Sequence, residues 1–264
     1  MLQKDEYPKY ETKNRKVLLE FVSANPTGPL HIGHGRCAVL GDVLGNILKK
    51  LGYDVTKEYY INDRGRQIDV LTASVLENVL QQKPDIVEES VKTWVNKIVE
   101  TSRYKGDYIV DIADKIIESY SEITQDNIDE IKKFIVEVIM ENIKNSLNGF
   151  SVIFDNYVYE TLLYDTGLTE EIKEFLEDKN LLETKDGAVW FKSTQLYDEK
   201  DRVLIKSDGE PTYFFSDIAY HYDKVLRGYD WLINIWGTDH HGYVQRLQSA
   251  CDVIFSSIGK DVHL

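Results

Sequence analysis

A chain of 264 residues, 42% apolar and 29% charged, can bury a substantial core. No apolar run approaches the ~20 residues needed to cross a bilayer. The N-terminus lacks a secretory h-region, and two distant thiols, Cys37 and Cys251, suit a reducing cytoplasm and exclude a cysteine-rich zinc site. Without a spanning run no membrane partner is expected, and a net charge of −14 opposes non-specific binding of a polyanion, so no DNA partner is expected and any RNA contact needs a local basic patch or further parts.

In chain order, Val17-Leu-Leu-Glu-Phe-Val22 predicts a buried strand carrying one anomalous carboxylate, Glu20. Pro26 and Pro29 then forbid regular structure, because proline fixes φ and donates no hydrogen bond. From residue 35 the spacing of Val39, Leu40, Val43, Leu44, Ile47, Leu48 and Leu51 predicts a helix, with Gly52 placed to end it. Val55–Ile61 reads as a second strand, closing in Asn62-Asp63-Arg64-Gly65. Strand, loop, helix and strand make a βαβ unit and imply a parallel sheet.

Residues 66–148 read as helical, most clearly over 126–147, where Ile128, Ile131, Phe134, Ile135, Val138, Ile139, Ile143 and Leu147 form a core stripe. Residues 184–215 alternate short β-like runs with Asp-Gly turns. A helix is expected over Asp217–Leu226, a buried strand over Trp231–Trp236 and a last helix from near Tyr243. The fold class is therefore α/β, a parallel Rossmann-like sheet interrupted by a largely helical insertion. Its halves are 14–75 and 205–264, and the connective insertion is 76–204.

Ligands of open parallel sheets bind beyond the carboxyl ends of the strands. Three distinctive clusters fall there: 23–36, 62–65 and 237–242. His31-Ile-Gly-His34 stands at a helix start, where unpaired N–H groups and the dipole favour phosphate. Imidazole N–H groups there can stabilise charge growing in phosphoryl or nucleotidyl transfer, and Gly33 leaves the backbone open to a flat ligand. The plainer alternative is that the two histidines cap the helix. Glu20, buried, needs a partner; that is either a structural ion pair or a cationic substrate. With Asn25, Tyr213 and Asp217 it makes a suitable guanidinium pocket, since that group offers five donors in a plane.

Two other motifs fit poorly. Gly33-His-Gly35-Arg-Cys-Ala38 matches a dinucleotide pattern, but eight residues, Ser23 to Leu30, precede His31 where a tight turn is required. Asp239-His-His241 is shared with metal phosphoesterases, which need further aspartates around paired metals, and no Asp-x-Asp occurs here.

The stretch Glu20-Phe-Val-Ser-Ala-Asn-Pro-Thr-Gly-Pro-Leu-His-Ile-Gly-His-Gly-Arg36 resembles the arginyl-tRNA synthetases of class I. So do Glu58-Tyr-Tyr-Ile-Asn-Asp63, Gly106-Asp-Tyr-Ile109, Ser207–Tyr213, Asp217–Asp223 and Trp236-Gly-Thr-Asp-His-His-Gly-Tyr243. The resemblance implies an ATP-dependent arginine–tRNA ligase that forms arginyl-adenylate and transfers arginine to tRNA(Arg). It implies that His31 and His34 contact ATP phosphates as the catalytic pair and that Gly33 lies under the adenine. Gly237, Asp239 and His241 match the ribose and adenine side; Glu20, Asn25, Tyr213 and Asp217 match the arginine site. Mg²⁺ would come with ATP, with no protein-bound metal. The family's second ATP motif, Lys-Met-Ser-Lys-Ser, is absent, as is a helical anticodon-binding domain. The expectation is a catalytic-core fragment with weak or no full aminoacylation, or else a non-catalytic paralogue that binds arginine, nucleotide or a protein.

Overall fold

Glycine decides how the first helix meets the sheet. In the computed structural model, which describes residues 10–196, 199–237, 241–259 and 261–264, strand β1 spans Lys16–Glu20, helix α1 Ile32–Lys50 and β2 Asp54–Ile61. The buried residues of α1 are Ala38, Gly41, Gly45 and Leu48. A Cβ at Gly41 would run into the Phe21 ring, and one at Gly45 would sit 2.6 Å from Lys57 Cε. The helix therefore presses its backbone onto the sheet. Most of the apolar stripe read from the sequence faces outward instead, with Leu40 59% and Ile47 51% exposed. Gly52, at φ 93°, ends the helix as expected.

Two compact units divide the chain. The first takes the described part of Met1–Ser23, with Arg36–Tyr60 and Ile153–Leu264. Its main sheet runs β3-β2-β1-β7, where β3 is Asn156–Tyr159 and β7 Trp231–Asn234. β1 is parallel to both neighbours, and their register sets Glu20 beside Glu58 and Asn234. A smaller antiparallel sheet joins β4 (Leu182–Lys185), β5 (Ala188–Phe191) and β6 (Arg202–Ile205). Its first hairpin turns at Asp186-Gly187, both with positive φ as a two-residue primed turn demands. Helices α6 (Glu160–Asp165), α7 (Leu168–Asp178), α8 (Tyr213–Leu226) and α9 (His241–Ser257) complete this unit. α8 starts four residues earlier than expected, because Tyr213-Phe-Phe215, β-prone by composition, buries both phenylalanines from a helix.

The second unit comprises Ala24–Gly35 and Ile61–Val152. It holds α2 (Arg66–Gln82), α3 (Glu89–Val99), α4 (Asp107–Ser119) and α5 (Ile128–Gly149). α2 is its axis: Leu71, Ala73, Val75, Leu76 and Val79 have no exposed surface, and α3, α4 and α5 pack around it. The α5 stripe packs as its periodicity predicts, with Ile131, Ile135, Ile139, Ile143 and Leu147 buried.

Candidate active site

In the second unit, His31 precedes the first helical residue of α1, which makes Gly33 the second and His34 the third position. Gly33 N–H donates to His31 Nδ1 at 3.1 Å, and His31 N–H donates to His34 Nδ1 at 3.2 Å. This is a reciprocal capping box built from imidazoles. The rings stack with centroids 3.7 Å apart. Each Nδ1 accepts a backbone N–H, so a neutral ring must carry its proton on Nε2. The cap thus occupies the two Nδ1 atoms and leaves both neutral rings as donors at their distal edge. Burial, then the neighbouring His31, hold the His34 pKa below the usual histidine value, which favours this neutral form. Gly33 leaves room for the His31 ring, since a Cβ there would lie 2.9 Å from His31 Cε1. Asn25 is exposed on the loop before the helix.

In the first unit, the backbone turns a corner directly after β1. Val22 and Ser23 both take positive φ, 66° and 39°, a costly conformation for a β-branched residue. Side chains brace it. Ser23 Oγ donates to Glu20 Oε1 at 3.0 Å and accepts Tyr60 N–H at 3.1 Å; Val22 N–H meets Cys37 Sγ at 3.3 Å.

Glu20 is paired. Lys224 Nζ, enclosed in α8, donates to Glu20 Oε2 at 2.6 Å and to Asn234 Oδ1 at 3.2 Å. The Asn234 amide donates to His221 Nε2 at 2.7 Å, so His221 Nδ1–H donates to the Asp217 carbonyl, also at 2.7 Å. Burial and then the Lys224 charge keep His221 neutral, well below the usual histidine range. The structural ion pair weighed for Glu20 is therefore present, and it belongs to a chain of groups that ends at Asp217.

Asp217 Oδ2 accepts the Tyr243 hydroxyl at 2.5 Å. Burial pushes its carboxyl up to about 7 against that bond, and the charges of Glu20 and Glu160 push the same way. Glu160, nearly buried, accepts Ser216 Oγ at 3.0 Å. Burial and then the fields of Glu160, Asp217 and Glu20 hold the Tyr60 phenol well above its ordinary value. Tyr60 stacks on Tyr220 at 4.4 Å, and Tyr220 donates to Glu58, which Arg227 grips with two bonds of 2.6 and 2.8 Å. Burial works to raise the Glu58 pKa, but Arg227 and Tyr220 outweigh it and hold the carboxyl below its usual value. Lys224 thus pairs with Glu20, and the carboxyl groups of Glu20, Glu160 and Asp217 act on one another and on Tyr60 within the same buried region.

Tyr213 lies one helical turn before Asp217 and is 64% exposed. Gly237 is exposed beyond β7; Asp239 and the side chain of His241 lie outside the described residues. Glu160, Lys224 and Tyr243 were not read as site residues. Nothing local marked Lys224, which has Asp223 beside it and His221 and Arg227 one turn either side. Tyr243 closes the Trp236–Tyr243 motif. Nothing in the sequence marked Glu160.

The family model for the catalytic domain of class I tRNA synthetases (R) matches residues 1–252. The chain belongs to this family. The synthetase domain is 40% identical over 273 residues to the arginine–tRNA ligase of Aquifex aeolicus, covering 92% of this chain and 47% of that relative. It is 44% identical over 243 residues to that of Anoxybacillus flavithermus, covering 90% and 42%. The crystal structure of an arginyl-tRNA synthetase from Campylobacter jejuni superposes with a TM-score of 0.80 at 40% identity, covering 96% of this chain and 54% of that one. A Plasmodium falciparum arginyl-tRNA synthetase, 16% identical with a TM-score of 0.63 over 92% of this chain and 40% of that one, shares the fold. The synthetase domain spans about half the length of the curated relatives it matches. Its α/β fold with a parallel sheet is the one expected from the βαβ pattern.

Proposed function

We propose that the chain is the core of an arginine–tRNA ligase, which activates L-arginine with ATP and passes it to tRNA(Arg). The observation that carries this is the group of Glu20, Glu160 and Asp217 around Tyr60, in a chain of the class I (R) family. The planar fork of a guanidinium suits two carboxylates. Asp217 and Tyr213 hold that group, Glu160 adds charge, and Glu20 and Asn25 orient the remainder of arginine.

The Nε2–H groups of His31 and His34 donate to ATP phosphates as charge builds on them. Gly33 lies under the adenine, and Gly237, Asp239 and His241 serve the ribose and base. The arginine carboxylate attacks the α-phosphorus and pyrophosphate leaves; no covalent enzyme intermediate forms, so positioning does most of the work. Mg²⁺ would come with the nucleotide, neutralising its phosphates. Among the described residues no helix is long and apolar enough to cross a membrane. The two distant thiols, Cys37 and Cys251, are the ground on which we place the activity in the cytoplasm.

The test is arginine-dependent ATP–pyrophosphate exchange with tRNA(Arg), for the chain alone and with the remaining half of a full-length relative supplied in trans. Weak or no exchange alone and clear exchange on complementation is expected. Silence in both, with arginine still bound, identifies a non-catalytic paralogue.

A further inference from the structure

Gly106-Asp107-Tyr108-Ile109, singled out in the sequence, has no part in the roles above. It opens α4: Gly106, at φ 139°, precedes the helix, and Ile109 N–H returns to its carbonyl at 3.0 Å. From this turn Tyr108 reaches across the second unit and donates its hydroxyl to the Thr27 carbonyl at 2.9 Å. A glycine flanks the ring on each side. A Cβ at Gly28 would sit 3.1 Å from Tyr108 Oη and 3.2 Å from Cζ; one at Gly106 would sit 3.0 Å from Cε1 and 3.1 Å from Cδ1. Both contacts are tighter than ordinary packing, so both positions favour a residue without a side chain.

The segment that Tyr108 grips needs an anchor. Pro26 and Pro29 donate nothing to a backbone ladder, and Thr27 N–H closes a short turn onto the Asn25 carbonyl at 2.8 Å. Three residues after Gly28 the chain enters the imidazole cap, whose geometry depends on the angle at which the backbone arrives. We infer that Tyr108 is a positioning residue for the nucleotide loop: it holds the Thr27–Gly28 peptide and so sets how His31 and His34 present their distal nitrogens. The inference rests on the proposed role of those histidines in binding ATP. A misplacement of about 1 Å in such a group can cost on the order of 100-fold in rate.

The test titrates ATP and arginine separately into the wild-type chain, Tyr108→Phe and Gly28→Ala by calorimetry, and records the imidazole signals of His31 and His34 by NMR without ligand. Tyr108→Phe keeps the ring and removes the bond. It is expected to weaken ATP binding about fivefold, the scale of one hydrogen bond, with arginine affinity unchanged and both imidazole signals displaced. Gly28→Ala, which crowds the ring, is expected to do the same. A purely structural tyrosine lowers the melting temperature and leaves the imidazole signals and the ATP-to-arginine ratio as they were; that result overturns the inference. If the wild-type chain binds no ATP, the nucleotide role of the loop fails, and the ligand-free spectra still decide whether Tyr108 sets the histidines.

Discussion

Lys224 Nζ lies 2.6 Å from Glu20 Oε2, the ammonium wholly enclosed and the carboxylate nearly so. The pair fastens α8 to the end of β1, and Asn234 of β7 completes the clasp. Removing one partner strands the other charge in the interior, which typically costs about 3–5 kcal/mol. Lys224→Met is therefore expected to lower unfolding free energy by roughly that amount in urea titrations. The double variant Glu20→Gln/Lys224→Met should lose less than the sum of the single changes. Glu20→Gln should also weaken arginine binding far more than ATP binding, and unchanged arginine affinity in calorimetry contradicts its place in the arginine site.

Asp217 gives a pH signature. Its folded carboxyl titrates at about 7 against an ordinary 3.8, so between those values the folded chain holds a proton the unfolded chain has released. Its contribution to stability falls as pH rises through that window. A bound guanidinium favours the carboxylate and expels the proton. Arginine affinity is expected to rise from pH 6 to 8, by at most about tenfold per unit, and to level off above. Calorimetry in buffers of different ionisation enthalpy reads the released proton. Asp217→Asn should flatten the profile, and affinity that falls with pH refutes the assignment.

The imidazole cap has the opposite dependence. His34 is depressed below 6.5 in the folded chain, so the unfolded chain takes up its proton first as pH falls. Stability from this group is complete above 6.5 and declines below it. Protonation fills Nδ1 and ejects the His31 N–H. Amide exchange at His31 should accelerate on acidification, and His34→Ala should show fast exchange at every pH. The substitution is also expected to cost about 0.5–2 kcal/mol, as for the loss of other helix caps.

Two substitutions on α1 test which face packs. Gly41→Ala gains about 1 kcal/mol of helix propensity, but its methyl collides with the Phe21 ring. Overpacking of that kind typically costs about 1–3 kcal/mol or more, so net destabilisation is expected. Val43→Lys, on the exposed stripe, should change the melting temperature little. The reverse order would show that the stripe faces the sheet.

The same helix shows where the sequence was legible. Its existence, its end at Gly52 and the parallel βαβ crossover all follow from local rules of spacing and capping. Its packing face does not, because periodicity counts large apolar side chains, and here close approach selects the small ones. The carboxylate site was half legible. Glu20 and Asp217 announced themselves as acids in apolar surroundings, and the fold brings them into one electrostatic group. Glu160 joins them through the tertiary path of β3 into α6, which no local pattern encodes. Lys224 was hidden for a related reason: a lysine on a helix reads as solvated until the facing strand is known to carry a glutamate.

The corner at Val22 and Ser23 has a consequence for which residues these positions tolerate. Glycine at position 22 would relax the torsion and, by the same freedom, release the direction in which the chain leaves the strand. A valine held in a left-handed well is less comfortable but less ambiguous. The discomfort is what keeps Ser23 under the acid it braces, so a variant library selected for stability alone should drift at this corner toward chains that fold better and aim worse.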